Sequence, residues 1–235
     1  MRVVVTRPQR DSERTAALLR ARGHDVLVAS LMRVEPLAAD LAGKWGAIIV
    51  TSANAPDAIA GNPVRETLTR LPLFAVGQRS ADAARQAGFV NVSPADGDVR
   101  DLMRMLIAQR AGTEAPLLYL AGEDRAADLP GELSARGIAA EMRVVYRVVT
   151  APFPPALVEA LRAGAVDAVM HFSRRSADNY LAGASQAGIT GPAMAVRHLC
   201  LSAQVAQPLA GASRIAVAAR PDEAALVELL QAPPA

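Results

Sequence analysis

Short apolar runs that end in small polar residues recur along the whole chain, and each is followed by a helical pattern. This alternation restricts the fold more than any other feature. Strands joined through helices run parallel, and a parallel sheet needs helices on both faces. The runs that read as strands are residues 2–5, 25–30, 45–50, 73–76, 89–93, 116–121, 167–171, 199–201 and 214–218. Cap and stop residues mark the helices between them. Asp11-Ser12-Glu13 opens the first, Leu18 and Leu19 face inward, and Gly23 closes it. Further helices run from Asn54 to Gly61 and from Ser80 to Ala87. Asp98 caps an amphipathic helix with Val99, Leu102, Met103, Leu106 and Ile107 on one face. Leu129 and Leu133 face inward from a short helix stopped by Gly137. The last helices open at Pro154-Pro155, after Ser173 and at Pro221-Asp222, and the tail from Ala232 reads as frayed.

Two extended runs break the alternation. One is Glu141-Met-Arg-Val-Val-Tyr-Arg-Val-Val149, rich in β-branched residues. The other runs from Val26 to Val34 and ends at Glu35-Pro36. They read as one antiparallel ladder, the two passages of the chain between two domains. The expected fold is α/β: two doubly wound parallel-sheet (flavodoxin-like) domains joined by a two-stranded β linker. Residues 1–33 plus 150–235 form one domain, 34–149 the other, with linker strands near 28–37 and 141–149. Tyr146 then sits at the waist and faces the cleft, and the linker acts as a hinge that closes on ligand. The plainer reading makes both runs ordinary sheet strands and Tyr146 a half-buried core residue.

In parallel sheets, ligands bind beyond the carboxyl ends of the strands. Here those ends carry Thr6-Arg7, Thr51-Ser52-Ala53-Asn54, Gly77-Gln78, Gly122-Glu123 (with Asp124-Arg125 beyond), Ser173-Arg174-Arg175 and Ser202-Ala203-Gln204. Each precedes a helix, so free N–H groups and positive dipole ends point the same way. The set suits a multiply anionic ligand; it also suits plain helix capping, which uses the same residue types. Arg174-Arg175 reads as a carboxylate clamp or as a solvated charge pair.

Composition narrows the chemistry. A net charge of +2 argues against binding nucleic acid through a large positive excess. Lys44 is the sole lysine among 25 basic residues, a bias that high genomic GC content explains. One cysteine, Cys200, excludes an intramolecular disulfide framework and fits a reducing cytoplasm. No signal-peptide core or bilayer-length apolar run is present, so a cytoplasmic protein is expected. No G-x-G-x-x-G follows a strand, and Gly43-Lys44 lacks the upstream glycine of a P-loop. His24, His171 and His198 show no ligand spacing, so no metal is expected. His171 reads as a satisfied strand histidine or as a titrating group near Ser173.

Five motifs, in order, resemble the uroporphyrinogen-III synthase family. They are Thr6-Arg7-Pro8, residues 48–55 (Ile-Ile-Val-Thr-Ser-Ala-Asn-Ala), Ala75-Val-Gly77, Val145-Tyr-Arg147, and a closing strand with Pro221 and a Leu-rich helix. The resemblance spans nearly the whole chain and implies two α/β domains on a two-stranded connection, the first one discontinuous. It implies that hydroxymethylbilane, a linear tetrapyrrole with eight carboxylates, is closed with inversion of ring D and loss of water. It also implies that no cofactor is needed and that Tyr146 corresponds to the family tyrosine implicated at the departing hydroxyl. A tyrosine phenol ordinarily stays protonated at neutral pH. Ligand contacts in the family are largely to backbone amides at strand ends. A monomer is expected, with hydroxymethylbilane synthase as a candidate partner for substrate transfer. The rival reading is a non-catalytic two-domain sensor or binding module for a small polyanion.

Overall fold

The computed structural model describes residues 1–109, 115–124 and 128–231. Arg125 and the tail 232–235 lie outside the described residues. Among the described residues, no helix is long and apolar enough to cross a membrane. The chain divides into two compact units, Met1–Arg33 with Val149–Ala235, and Val34–Val148.

In chain order the elements begin with β1 (Arg2–Val5), α1 (Gln9–Ala21), β2 (Asp25–Val28), β3 (Met32–Pro36), β4 (Ala47–Val50), α2 (Asn54–Ala58) and α3 (Arg65–Leu68). Then come β5 (Leu73–Val76), α4 (Gly77–Gln86), β6 (Val92–Ala95), α5 (Val99–Ala108), β7 (Leu117–Gly122), α6 (Leu129–Ser134) and β8 (Ala140–Thr150). The rest is α7 (Pro155–Arg162), β9 (Ala168–His171), α8 (Arg174–Gln186), α9 (Thr190–Ala195), β10 (Arg197–Cys200), α10 (Ala203–Ala206), β11 (Ile215–Val217) and α11 (Glu223–Glu228).

One sheet has the order β11-β10-β9-β1-β2, with every neighbouring pair parallel. The order reverses between β1 and β9. The other has the order β3-β8-β7-β4-β5-β6, parallel from β6 through β8. It reverses between β4 and β7. The first sheet has the flavodoxin order, and both are doubly wound as expected. In the second, two strand–helix units wind to one side before the reversal instead of one. β3 is its edge strand. Leu37 N–H donates to Val145 O at 2.8 Å and Ala151 N–H to Leu31 O at 3.0 Å, a pattern of antiparallel pairing.

Both sheets are covered on both faces. On the first, Val4, Val169 and Cys200 pack with Tyr180 and Ala184 of α8 and Leu157 and Leu161 of α7. Val3, Val5, Met170 and Leu199 face Leu19 of α1 and Leu226 of α11. On the second, Ile48, Val50, Leu118 and Leu120 meet Ala81 and Ala84 of α4, while Ile49, Leu117 and Tyr119 meet Leu102, Leu106, Leu129 and Leu133. Each fully buried Leu or Ile side chain contributes about 1.5–3 kcal/mol of transfer free energy.

Several elements depart from the sequence reading. α1 starts at Gln9 with Pro8 as its cap, because proline's fixed φ of −53° already suits a helix entry. Ser12 therefore lies inside the helix and donates back to Arg7 O at 2.8 Å. Leu18 and Ile107 are 38% and 48% exposed, at the rims of their apolar stripes. The run from Val26 to Val34 is broken between β2 and β3, where Leu31 is buried and its carbonyl accepts from Ala151 and Asn179. Gly77 is no loop residue: its φ of +72° turns β5 straight into α4. The strand expected at 89–93 lies at Val92–Ala95, and Pro94 is accommodated because β6 is an edge strand.

Candidate functional site

The expected site residues fall on the carboxyl edges of the two sheets, and chain order alone does not show which become neighbours. In the unit Val34–Val148, strand order sets Tyr146 on β8 beside Gly122 and Glu123 at the end of β7, then Thr51 to Asn54 after β4, then Gly77 after β5. In the other unit the sequence is Ser202, Ala203 and Gln204 after β10, then Ser173, Arg174 and Arg175 after β9, then Thr6 and Arg7 after β1. Each set straddles its sheet's point of reversal, where crevices open in doubly wound folds.

Tyr146 owes its position to an irregular register. Ala121 pairs with Val144, but Gly122 pairs with Tyr146, so Val145 is an extra residue on β8. The bulge puts Val145 and Tyr146 in the same core cluster, although adjacent strand residues normally face opposite ways. The Tyr146 carbonyl accepts from Glu123 N–H at 2.9 Å. Its ring lies over Gly122, where a β-carbon would stand 2.6 Å from Cζ and 2.7 Å from the hydroxyl oxygen. Tyr146 is 7% exposed, and no described residue forms a hydrogen bond with its hydroxyl. The core-residue and site readings of Tyr146 are thus compatible: the ring is packed and the polar tip is uncommitted.

Other members are held by local bonds. Thr51 Oγ1 is 2.9 Å from the hydroxyl of Tyr119, a buried β7 residue that the sequence reading did not single out. Ser52 Oγ accepts from Asn54 N–H at 3.2 Å, and Ala53 caps α2. Ser173 and Ser176 form a capping box on α8, and Ser202 Oγ accepts from Val205 N–H at 3.4 Å. For Ser173 and Ser202 the capping role is therefore real. Thr6 is fully buried, and its hydroxyl donates to Met170 O at 2.8 Å. Arg174 is exposed and reaches Gln207 at 3.3 Å, while Ala203 and Gln204 are exposed at the start of α10.

Arg7 is held differently from a free anion hook. Its guanidinium carbon lies 4.2 Å from the Phe172 ring centroid, and Nη1 donates to Glu223 at 3.0 Å. Glu223 also accepts from Thr15 at 2.5 Å and Arg14 at 2.9 Å. Glu223 escaped the sequence reading because it lies 216 residues from Arg7. His198 was missed as a partner for the same reason. It approaches His171 at 3.1 Å, nitrogen to nitrogen, so the two histidines that looked scattered form a buried pair. Burial, then the charge of His198, holds His171 well below the usual histidine value. Burial likewise lowers His198 to about 4 and pushes the Cys200 thiol up to about 12, leaving an inert core thiol.

The comparison with sequence families is decisive. The model for uroporphyrinogen-III synthase HemD matches residues 13–228. The chain belongs to the uroporphyrinogen-III synthase family. Its reaction closes hydroxymethylbilane with inversion of ring D and loss of water, a step of tetrapyrrole biosynthesis. The crystal structure of uroporphyrinogen-III synthetase from Helicobacter pylori 26695 is similar over 98% of this chain and 99% of its own, with a TM-score of 0.65 and 18% identity. A mutant uroporphyrinogen III synthase from the extremely thermophilic bacterium Thermus thermophilus aligns over 98% of this chain and 97% of its own, with a TM-score of 0.47 and 18% identity. No curated protein matches the chain. The Helicobacter likeness supports the fold; membership of the synthase family rests on the family match.

Proposed function

We propose that the chain acts as a cyclising hydro-lyase in which Tyr146 donates a hydrogen bond, and then a proton, to the departing hydroxyl of hydroxymethylbilane. The observation that carries this reading is the placement of Tyr146: a packed ring with an uncommitted hydroxyl, level with the carboxyl end of β7. Loss of the hydroxyl as water leaves an azafulvene. The substituted carbon of the last pyrrole attacks it to give a spiro intermediate, which fragments and recloses with that ring inverted. Rearomatisation releases one proton, which restores the phenol. Electron push comes from the pyrroles, so the protein's work is to hold the bilane in the fold that brings the right carbon to attack.

The substrate is anionic, and the proposed binding set follows from that. Thr51, Ser52, Ala53 and Asn54 lead into α2, and Gly77 opens α4; amide N–H groups at helix starts suit carboxylates. Arg174 and Arg175 lie at the start of α8 and supply the charge that its capped amides lack. Ser202, Ala203 and Gln204 flank them after β10. Gly122 and Glu123 act through Tyr146, and Thr6 and Arg7 support the strand end from beneath. The protein is read as a cytoplasmic monomer that can receive bilane from hydroxymethylbilane synthase.

One assay tests the reading. Purified protein is given freshly made hydroxymethylbilane, and the porphyrin isomers are resolved after oxidation. Type III product is expected from the wild type, with Tyr146→Phe strongly slowed. Only the spontaneous type I isomer would make the chain a binding protein or an inactive relative.

A further inference from the structure

The backbone around Tyr146 does more than bury its ring. Three features converge on that one side chain, and none involves substrate. The extra residue Val145 rotates Tyr146 onto the face it shares with Val50 and Leu120. The two carbonyls of this bulge are tied on either side: Val145 O accepts from Leu37 N–H at 2.8 Å, and Tyr146 O from Glu123 N–H at 2.9 Å. The phenol end then lies against the α-carbon of Gly122. A methyl group at Gly122 would stand 2.6 Å from Cζ, 2.7 Å from the hydroxyl oxygen and 2.9 Å from Cε2. Those distances are far inside van der Waals contact. The conflict falls on the reactive tip of the ring and spares its root.

Backbone conformation does not demand this glycine. Gly122 is absent from the glycines with positive φ, so an L-residue suits its backbone there. What requires glycine is the ring. We propose that Gly122 is a positioning residue: by lacking a side chain it sets where the Tyr146 hydroxyl stands. This rests on the reading of Tyr146 as the proton donor. It gives Gly122 a role distinct from a substrate contact, because the effect passes entirely through the phenol. A methyl at this position meets the distal end of a side chain, which yields by turning about χ1 and χ2. The sheet survives and the hydroxyl moves. A displacement of about 1 Å is enough to cost about a hundredfold in rate when a reacting group must be aligned.

The test is a cycle of Gly122→Ala, Tyr146→Phe and the double variant, assayed for kcat, KM and type III product. Gly122→Ala is expected to lower kcat by about tenfold or more, with KM within about twofold of wild type. The double variant should be no slower than Tyr146→Phe alone, since there is no hydroxyl left to misplace. Wild-type kcat in Gly122→Ala, or a double variant slowed by the product of the single effects, overturns the proposal. Wild-type kcat in Tyr146→Phe overturns the donor reading as well, and so separates the two failures. If Gly122→Ala does not fold, the Tyr146→Ala background decides. Removing the ring must then restore a cooperative melt to the Gly122→Ala chain, and failure of that rescue overturns the proposal.

Discussion

His171 Nε2 lies 3.1 Å from His198 Nδ1, and the outer nitrogens of both rings are buried without partners. One proton serves the bond between the rings, so the neutral pair fits without a charge in the core; burial outweighs the Ala193 backbone, which favours a proton on His198. Tyr180 closes the site edge-on, with centroids 5.2 and 5.7 Å away, and spends its hydroxyl on Ala193 O. Burial depresses both histidines relative to the unfolded value of 6.5, His198 to about 4. The unfolded chain therefore binds more protons below pH 6.5. Stability from the pair is complete above that pH and is lost as pH falls toward 4. Urea melts at pH 7 and 5 should show it, with a slope of up to about 1.4 kcal/mol per pH unit for each histidine. His198→Gln should shrink the difference between the two pH values. Equal wild-type midpoints at both would contradict the assignment.

Glu223 anchors Arg7, and its removal leaves a guanidinium only 14% exposed facing Asp11 at 3.9 Å without its closer carboxylate. Glu223→Ala should cost about 2–3 kcal/mol, mostly from the cation left without its main counter-charge. Glu223→Gln keeps an acceptor for Arg7 and Thr15 and should cost less. Guanidinium denaturation of the pair of variants would show the difference, and a loss under about 0.5 kcal/mol for alanine would place the pair with weak surface bridges.

Gly183 sits inside α8, where alanine ordinarily gains about 1 kcal/mol of helix propensity. Here the Phe153 ring occupies the place where a β-carbon would go. Overpacking of this kind costs about 1–3 kcal/mol and should win. Gly183→Ala should therefore lower the melting temperature in the wild type. In a Phe153→Ala background the same change should become neutral or favourable. A rise in the wild-type background would mean that the ring moves aside freely.

Arg174 and Arg175 both lie in the first turn of α8 and are exposed. Replacing both with alanine should raise the KM for hydroxymethylbilane several-fold and leave kcat nearly unchanged. The effect should grow at low ionic strength, where exposed charges are screened least. An unchanged KM at low salt would remove both from substrate binding.

What could be read from the sequence was what is local. Asp98 announces α5 because cap and partner lie three residues apart, and the structure completes the box with Asp101. Gly23 and Gly137 end their helices with φ of +83° and +76°, conformations that glycine alone adopts cheaply. Leu129 and Leu133 face inward as their spacing demands. What was hidden depends on distant strands becoming neighbours. Nothing near Arg7 points to Glu223, nothing near His171 points to His198, and nothing near Tyr146 announces the bulge opposite Gly122. The short helices α3 and α9 were also missed, since each is too brief to build an apolar period. At the site, residue types were legible but their engagements were not. Thr6 and Glu123 each spend a polar group on a neighbour that only the folded chain supplies.

The central place of β1 has a consequence for synthesis on the ribosome. Val4 pairs with Leu27 on one side and Val169 on the other. The first partner emerges at once; the second is translated only after the whole of residues 34–148. Throughout that interval the first strand–helix–strand unit must wait with an open, apolar flank, an invitation to the wrong partner. The segment that folds in between is continuous and needs nothing still to come. Nascent chains arrested with Thr150 outside the tunnel and β9 still inside it should therefore carry one finished body and one aggregation-prone stub, and chaperone demand should fall sharply once His171 is free of the tunnel.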